Sequence, residues 1–204
     1  MSKILEFFKK NNDIFKPVIV LTAICVIVAV LLSVTNLVTQ EKIAGMEAAA
    51  SNQAMAALIN AENYEKAQPC DNGQLYVAKS GEEIKGYIVE TQSRGYGGIV
   101  KVMIAISADK KITGIKILSA ADETPGLGQN VTKENFYSQY IGKTEQVVVV
   151  KNGANSDNNE IDAVTGATIS SRAVTTAVNK AFDCLNDYLS SVTTESDTEG
   201  GEAK

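Results

Sequence analysis

Ile99-Val100-Lys101-Val102-Met103-Ile104-Ala105-Ile106-Ser107 and Ile112-Thr113-Gly114-Ile115-Lys116-Ile117-Leu118, separated at hairpin distance by Asp109-Lys110, decide the fold class of most of this chain. Isoleucine and valine dominate both runs, and branched side chains fit a pleated surface better than a helix. A short polar break between two such runs is the pattern of a hairpin. Similar β-rich runs, bounded by Gly and Asp, lie near Gln74–Ala78, Ile84–Thr91 and Gln146–Val150. Strands and helices in separate stretches predict an α+β domain with a largely antiparallel sheet flanked by helices.

Outward from the sheet on the N-terminal side, Glu41–Ala67 is rich in Ala, Glu, Lys, Gln and Met, all good helix formers. Ile43, Met46, Ala50, Ala54, Ala57, Leu58 and Ala61 recur every three or four residues and make one apolar stripe, read as core packing. No charged residue lies between Lys16 and Glu41. A run of about 20 apolar residues matches a hydrocarbon core of roughly 30 Å at about 1.5 Å per residue. A cleavable signal peptide competes with this reading, but the run is long for one and no A-x-A-like site follows closely. Ile24 before Cys25 speaks against a lipoprotein site, and an uncleaved anchor is predicted.

Lys3, Lys9, Lys10 and Lys16 precede the span against Glu6 and Asp13, so the basic flank is expected in the cytoplasm and the rest outside. The outer part keeps 15 basic and 22 acidic residues, and so acidic a domain has little attraction for anionic lipid. The expected order is cytoplasmic N-terminus 1–16, transmembrane helix 17–40, membrane-proximal helix 41–68, sheet domain 69–190, and disordered acidic tail 191–204. The localisation is the cell membrane, single-pass, with the C-terminal domain extracytoplasmic.

Toward the C-terminus, a helix is predicted from Thr132 as its cap, with Glu134 in the first turn, to about Tyr140. The Asn130-Val131-Thr132 sequon is read as a chance match. From Ser170 or Ser171 a last helix is predicted, with Ala173, Val174, Ala177, Val178, Ala181, Phe182, Leu185 and Leu189 on one face. Ser190–Lys204 has hardly an apolar residue and is expected to be disordered.

A formal charge of −5 and a pI near 4.9 argue against nucleic acid as a partner. The absence of histidine removes Ser-His-Asp and Cys-His catalysis, histidine haem ligation and nearly every catalytic zinc site. Cys25, Cys70 and Cys184 form no CxxC pair, so no metal site is predicted. Spacing leaves open whether Cys70 and Cys184 pair.

Three clusters carry the candidate chemistry. Gly95-Tyr96-Gly97-Gly98 opens the Ile99 strand. Its plain reading is a flexible turn, and its functional one is close backbone approach to a flat ligand on which Tyr96 stacks. Asp122-Glu123-Thr124-Pro125-Gly126-Leu127-Gly128 suits a type II turn at Pro125-Gly126, or a ligand loop carrying an acid, a hydroxyl and a leucine. Asp162-Ala163-Val164-Thr165-Gly166-Ala167-Thr168 precedes Ile169-Ser170-Ser171 and the last helix. The plain reading is N-capping by Ser170 or Ser171. The other is an anion site at a helix N-terminus, with small Gly166 and Ala167 leaving room for phosphate.

All three clusters, in this order, resemble the FMN-binding domain of G subunits of Rnf electron-transport complexes, a family related to the C subunit of the sodium-pumping NADH:quinone reductase. The similarity covers about residues 1–190, anchor included. It implies an extracytoplasmic domain with FMN joined through its phosphate to Thr168, since D-x-x-T-G-A-T resembles the pattern a flavin transferase uses when it moves FMN from FAD onto the final Thr. It implies Asp162, Thr165, Gly166, Ala167 and Ser170 around that bond. Glu123, Thr124 and Leu127 then become candidates for ring or ribityl contacts, with Pro125, Gly126, Gly128, Tyr96 and Gly97 beside them. One departure is Ala121, where the family frequently has a histidine nearby, so no proton transfer is read into that loop.

The family implies an electron-carrier subunit in a membrane complex that couples ferredoxin:NAD electron transfer to export of Na⁺ or H⁺. Its expected partners are integral-membrane subunits, among them the flavin-bearing D subunit and the A and E subunits, with the transferase during maturation. No residue is assigned as catalytic. The rival readings are a stand-alone anchored extracellular flavoprotein serving external acceptors and a flavin-free anchored scaffold.

Overall fold

A computed structural model describes residues 12–144 and 146–199. Most of the predicted cytoplasmic flank and the last five residues lie outside the described part. The chain divides into two units, residues 1–49 and 50–204, each described by itself.

Helix α1 runs Asn12–Leu58, with Pro17 inside it and past the first turn, where the ring removes one helical hydrogen bond. Through the predicted span the large apolar side chains, from Val18 to Val38, are exposed, as a lipid-facing surface requires. The hydroxyls of Thr22, Thr35 and Thr39 donate to the carbonyls of Val18, Leu31 and Thr35 at 2.7–2.8 Å. These three hydroxyls are therefore satisfied inside the helix.

The membrane-proximal helix stops nine residues short of the predicted Ala67. Asn63–Cys70 is strand β1, which pairs antiparallel with β2 (Gly73–Ser80). The Tyr64 hydroxyl closes the bend by donating to the Ile59 carbonyl at 2.6 Å. Pairing along a sheet edge overrides the helix propensity of Glu65-Lys66-Ala67-Gln68, and Pro69 is tolerated because the strand is at that edge. Of the predicted stripe, Ile43, Met46, Ala50 and Ala57 are exposed, and Ala54 alone is buried, beside Met55 outside the stripe.

Strands β3 (Glu83–Arg94), β4 (Ile99–Ile106) and β5 (Ile112–Ser119) complete a five-stranded antiparallel sheet in order β1-β2-β3-β4-β5. Ala54 and Met55 of α1 pack with Ile88 and Met103 on one face. The other face carries Val89, Val102 and Ile104 against Val174, Ala177, Val178 and Ala181 of the last helix. Burial on both faces explains why β4 is apolar almost throughout rather than alternating.

The predicted Thr132–Tyr140 helix is broken into a 3-10 turn at Gly128–Thr132, a short α2 at Glu134–Tyr137 and a second 3-10 turn at Ser138–Tyr140. Thr132 is no cap: its hydroxyl donates to the Gln129 carbonyl at 2.8 Å, and extended Lys133 precedes α2 instead. Val148–Val150 (β6) pairs parallel with Glu160–Asp162 (β7), a three-residue strand too short to read from pattern.

Helix α3 spans Thr168–Glu199, beginning two residues before Ser170 and continuing well into the predicted tail. Extending a helix already nucleated by packing needs no apolar face. The apolar face named from periodicity is the buried one, from Ala173 to Leu185. Thr91 Oγ1 donates to the Ala177 carbonyl at 2.8 Å, and the Tyr140 hydroxyl lies 2.6 Å from that of Thr175. Burial pushes the Tyr140 phenol well above its ordinary pKa.

Cys70 and Cys184 form a disulfide, with Cα atoms 5.6 Å apart and 114 residues between them in sequence. It ties the end of β1 to α3. Closing so long a loop contributes about 5 kcal/mol in the chain-entropy view. The Cys70→Ser/Cys184→Ser variant is expected to melt about 10–20 °C lower in calorimetry, and an unchanged melting temperature would show that the cross-link adds nothing to stability.

Candidate functional site

Three segments meet around the first turn of α3. The first is the bend between β3 and β4, closed by Gly95 N–H donating to the Gly98 carbonyl at 2.7 Å. A Cβ on Gly97 would run into the Asp122 carbonyl, and one on Gly98 would lie 2.5 Å from Asp122 Cβ. These glycines are therefore required by close approach to a second loop rather than by flexibility. Tyr96, between Gly95 and Gly97, is 71% exposed.

That second loop follows β5. Gly126 has φ +72° and Leu127 N–H donates to the Thr124 carbonyl at 3.1 Å, which is the Pro-Gly turn expected at this place. Asn130 Nδ2 donates to the Gly126 carbonyl at 2.7 Å and holds the turn. The Leu127 side chain lies against Gly166, where a Cβ would sit 3.4 Å from Leu127 Cδ2.

The third segment leads into α3. Gly166 takes φ +77°, Ala167 N–H donates to the Val164 carbonyl at 2.9 Å, and the first helical bond runs from Ser171 N–H to the Ala167 carbonyl at 2.9 Å. Ala167 is thus the N-cap, and it has no side-chain oxygen to cap with. The expected capping by Ser170 or Ser171 does not occur. Ser171 Oγ accepts from Val164 N–H at 2.9 Å and donates to the Ala167 carbonyl at 3.0 Å, which pins the approach. Ser170 turns its hydroxyl to Glu123 Oε2 at 2.6 Å. The N–H groups of Thr168, Ile169 and Ser170 precede the first helical bond and have no acceptor within the helix.

A cleft of about 520 Å³ opens here, lined by Tyr96, by Thr124, Leu127 and Gly128, and by Gly166 through Ser170. Its size is that of a small-molecule or cofactor site. It offers an exposed aromatic ring, a leucine, and the donor end of a helix whose first residue, Thr168, bears a hydroxyl. A flat apolar body with a phosphate at one end fits this combination, so the residues present suit FMN.

The other residues singled out in the sequence fall elsewhere. Asp162 and Thr165 line a separate cleft of about 620 Å³ with Asn130, Lys133, Phe136 and Gln139. Asp162 accepts from Ala154 N–H at 3.0 Å, and its own N–H donates to Gln139 Oε1 at 2.8 Å. Glu123, 2% exposed, lies among the loops and is not among the cleft's lining residues. Gly97, Pro125 and Gly126 shape loops without lining the cleft. Sequence reasoning missed Ile169 and the pinning Ser171. Both become legible only once the helix is known to start at Thr168.

The three segments together define a domain that binds a flavin mononucleotide: residues 95–183 match the family described as FMN-binding domain. Over 184 residues the chain is 35% identical to the G subunit of the proton-translocating ferredoxin:NAD⁺ oxidoreductase complex of Clostridium ljungdahlii, covering 88% of this chain and 96% of that one. It is 36% identical over 188 residues to the G subunit of the Na⁺-translocating ferredoxin:NAD⁺ oxidoreductase complex of Acetobacterium woodii, covering 83% and 90%. Among solved structures it is similar to the C subunit of the Na⁺-translocating NADH-quinone reductase of Parabacteroides distasonis, at 28% identity and a TM-score of 0.47 over 57% of this chain and 61% of that one. The chain belongs to the family of G subunits of ion-translocating ferredoxin:NAD⁺ oxidoreductase complexes.

Gly97→Ala tests the packing. With its Cβ forced into the Asp122 carbonyl, the variant is expected to lose about 1–3 kcal/mol in chemical denaturation. Wild-type stability would mean that the bend and the Asp122 loop are not in contact.

Proposed function

We propose that this chain is an electron-carrying subunit of an ion-translocating ferredoxin:NAD⁺ oxidoreductase complex, holding FMN in the 520 Å³ cleft with its phosphate esterified to Thr168. The carrying observation is the uncapped first turn of α3, where the Thr168 hydroxyl lines the cleft beside three N–H groups without helical acceptors. An anion there gains donors and a favourable helix dipole, the latter worth about 0.3–1 kcal/mol. When bound, FMN supplies the one- and two-electron chemistry, and the chain supplies the binding and the orientation. Tyr96 and Leu127 offer apolar contact for the ring, and Thr124 a hydroxyl at the cleft's edge. In the attachment step the Thr168 hydroxyl oxygen bonds to the FMN phosphorus of FAD and the pyrophosphate bond breaks. AMP departs, and the hydroxyl proton passes to the flavin transferase or solvent.

We further propose an extracytoplasmic C-terminal domain, supported by the basic N-terminal flank and by the disulfide, since such bonds persist in oxidising compartments. The proposed partners are the integral-membrane D, A and E subunits. Alkaline phosphatase fused after Ala67 is expected to be active in cells, and an inactive but normally expressed fusion would reverse this orientation.

The attachment is tested by co-expression with a flavin transferase. Wild type is expected to give an in-gel fluorescent band that survives denaturation, with a mass gain fitting FMN. Thr168→Val loses both, whereas Thr165→Val and Ser170→Ala keep at least partial labelling, Thr165 lying in the other cleft. Covalent FMN on Thr168→Val would disprove the acceptor.

A further inference from the structure

We infer that Glu123 is a positioning residue of the flavin site and not one of its contacts: its carboxyl group clamps the bend that carries Tyr96 to the helical turn that carries Thr168. The inference rests on the reading of Thr168 as the flavin acceptor.

Glu123 is 2% exposed and does not line the cleft. Oε1 accepts from Gly97 N–H at 3.2 Å, and Oε2 accepts from the Ser170 hydroxyl at 2.6 Å. Gly97 follows Tyr96 directly, and Ser170 stands two residues past Thr168 in the same first turn. The fit around the carboxyl group is close. A Cβ on Gly95 would run into Oε1, and one on Gly128 would lie 2.6 Å from Oε2 and 2.9 Å from Ser170 Oγ. One planar group with an acceptor at each corner therefore joins segments of all three clusters. An aspartate at this position is one methylene too short to reach both donors. Without the clamp, Gly97 N–H loses a buried acceptor and the Ser170 hydroxyl its partner. The uncapped turn is then held only through Ser171.

Acting through position, Glu123 governs how often the Thr168 oxygen is correctly placed and leaves recognition of the acceptor segment untouched. Small misplacements of a reacting atom are costly in rate. Glutamine keeps the shape: its Oε1 can accept from Gly97 and its Nε2 can donate to Ser170 Oγ.

The test uses the full-length chain in detergent, with purified flavin transferase and FAD. Transfer is followed by intact mass, kcat and KM for the acceptor chain are separated, and amide exchange at Gly97 is measured on the flavin-free protein. Glu123→Ala is expected to lower kcat about 10- to 100-fold with KM nearly unchanged and to speed Gly97 exchange. Glu123→Gln is expected to restore kcat to within about tenfold of wild type. If Glu123→Ala folds, keeps wild-type kcat and leaves Gly97 protected, the clamp is refuted. If it does not fold, Glu123→Gln and Ser170→Ala decide, with a kcat loss of about 2- to 10-fold expected and wild-type rates in both overturning the inference. Should wild type itself take no flavin at Thr168, the attachment reading fails. Gly97 exchange in Glu123→Ala, or in Glu123→Asp where the alanine variant does not fold, then judges the clamp by itself, with faster exchange supporting it and unchanged exchange refuting it.

Discussion

Helix α3 lies across β3 and β4, and the buried bond from the Thr91 hydroxyl to the Ala177 carbonyl, 2.8 Å long, fixes it there. That bond occupies a carbonyl that already serves the helix, so helix and sheet are joined by a polar contact with a defined position along both. Around it the apolar contacts of Val174, Val178 and Ala181 fill the interface but do not choose a register. Two further links work at a distance from this point. Tyr140 meets Thr175 toward the helix N-terminus, and Cys184 reaches Cys70 about two turns the other way. A helix held at three heights has little freedom to slide, and its first turn arrives at one place among the loops.

At that place the chain breaks an elementary rule. Alanine is a poor N-cap, and Ser, Thr, Asp or Asn would stabilise the helix by roughly 1 kcal/mol. The sequence has two serines within reach and uses neither as a cap: Ser171 pins the incoming strand of chain, and Ser170 turns to Glu123. Local rules are most often broken where function needs the broken state. Leaving Ala167 bare keeps the donors of the first turn open toward the cleft, and the small side chain keeps room for what binds them.

The large features are legible in the sequence because each rests on a repeated signal. The β-rich runs give four of the five sheet strands, and the 3.6-residue spacing gives the buried face of α3. What cannot be read has a physical reason in each case. β1 is made of helix-favouring residues and is a strand only because β2 offers it an edge. The break at Lys133 depends on where Val131, Phe136 and Tyr140 are buried, which no local pattern states. Helix α3 begins two residues earlier than serine capping predicts, because both serines have tertiary partners. For the site, each of the three clusters is visible, but spacing does not tell a lining residue from one packed behind it. Glu123 reads as a contact because acids in loops often are, and its burial follows from Gly95 and Gly97 in another segment and Gly128 in its own.

The division into two clefts bears on which threonine is chemically special. Thr165 and Thr168 stand three residues apart in one short segment, and on composition alone either hydroxyl could take a phosphate. Between them Gly166 turns the chain with φ +77°, a conformation costly for any residue with a Cβ. This reversal sends Thr165 to the cleft with Lys133 and Gln139, and Thr168 to the cleft with Tyr96 and Leu127. Only the second combines a hydroxyl with the open end of a helix and with apolar side chains for a ring. A substituent on Thr165 would have its charge near Lys133, with only the largely buried Phe136 as an aromatic neighbour. The glycine, rather than either hydroxyl, is therefore what separates the two positions. A side chain there would need strain at the turn, although its Cβ would meet Leu127 Cδ2 only at an ordinary contact distance of 3.4 Å.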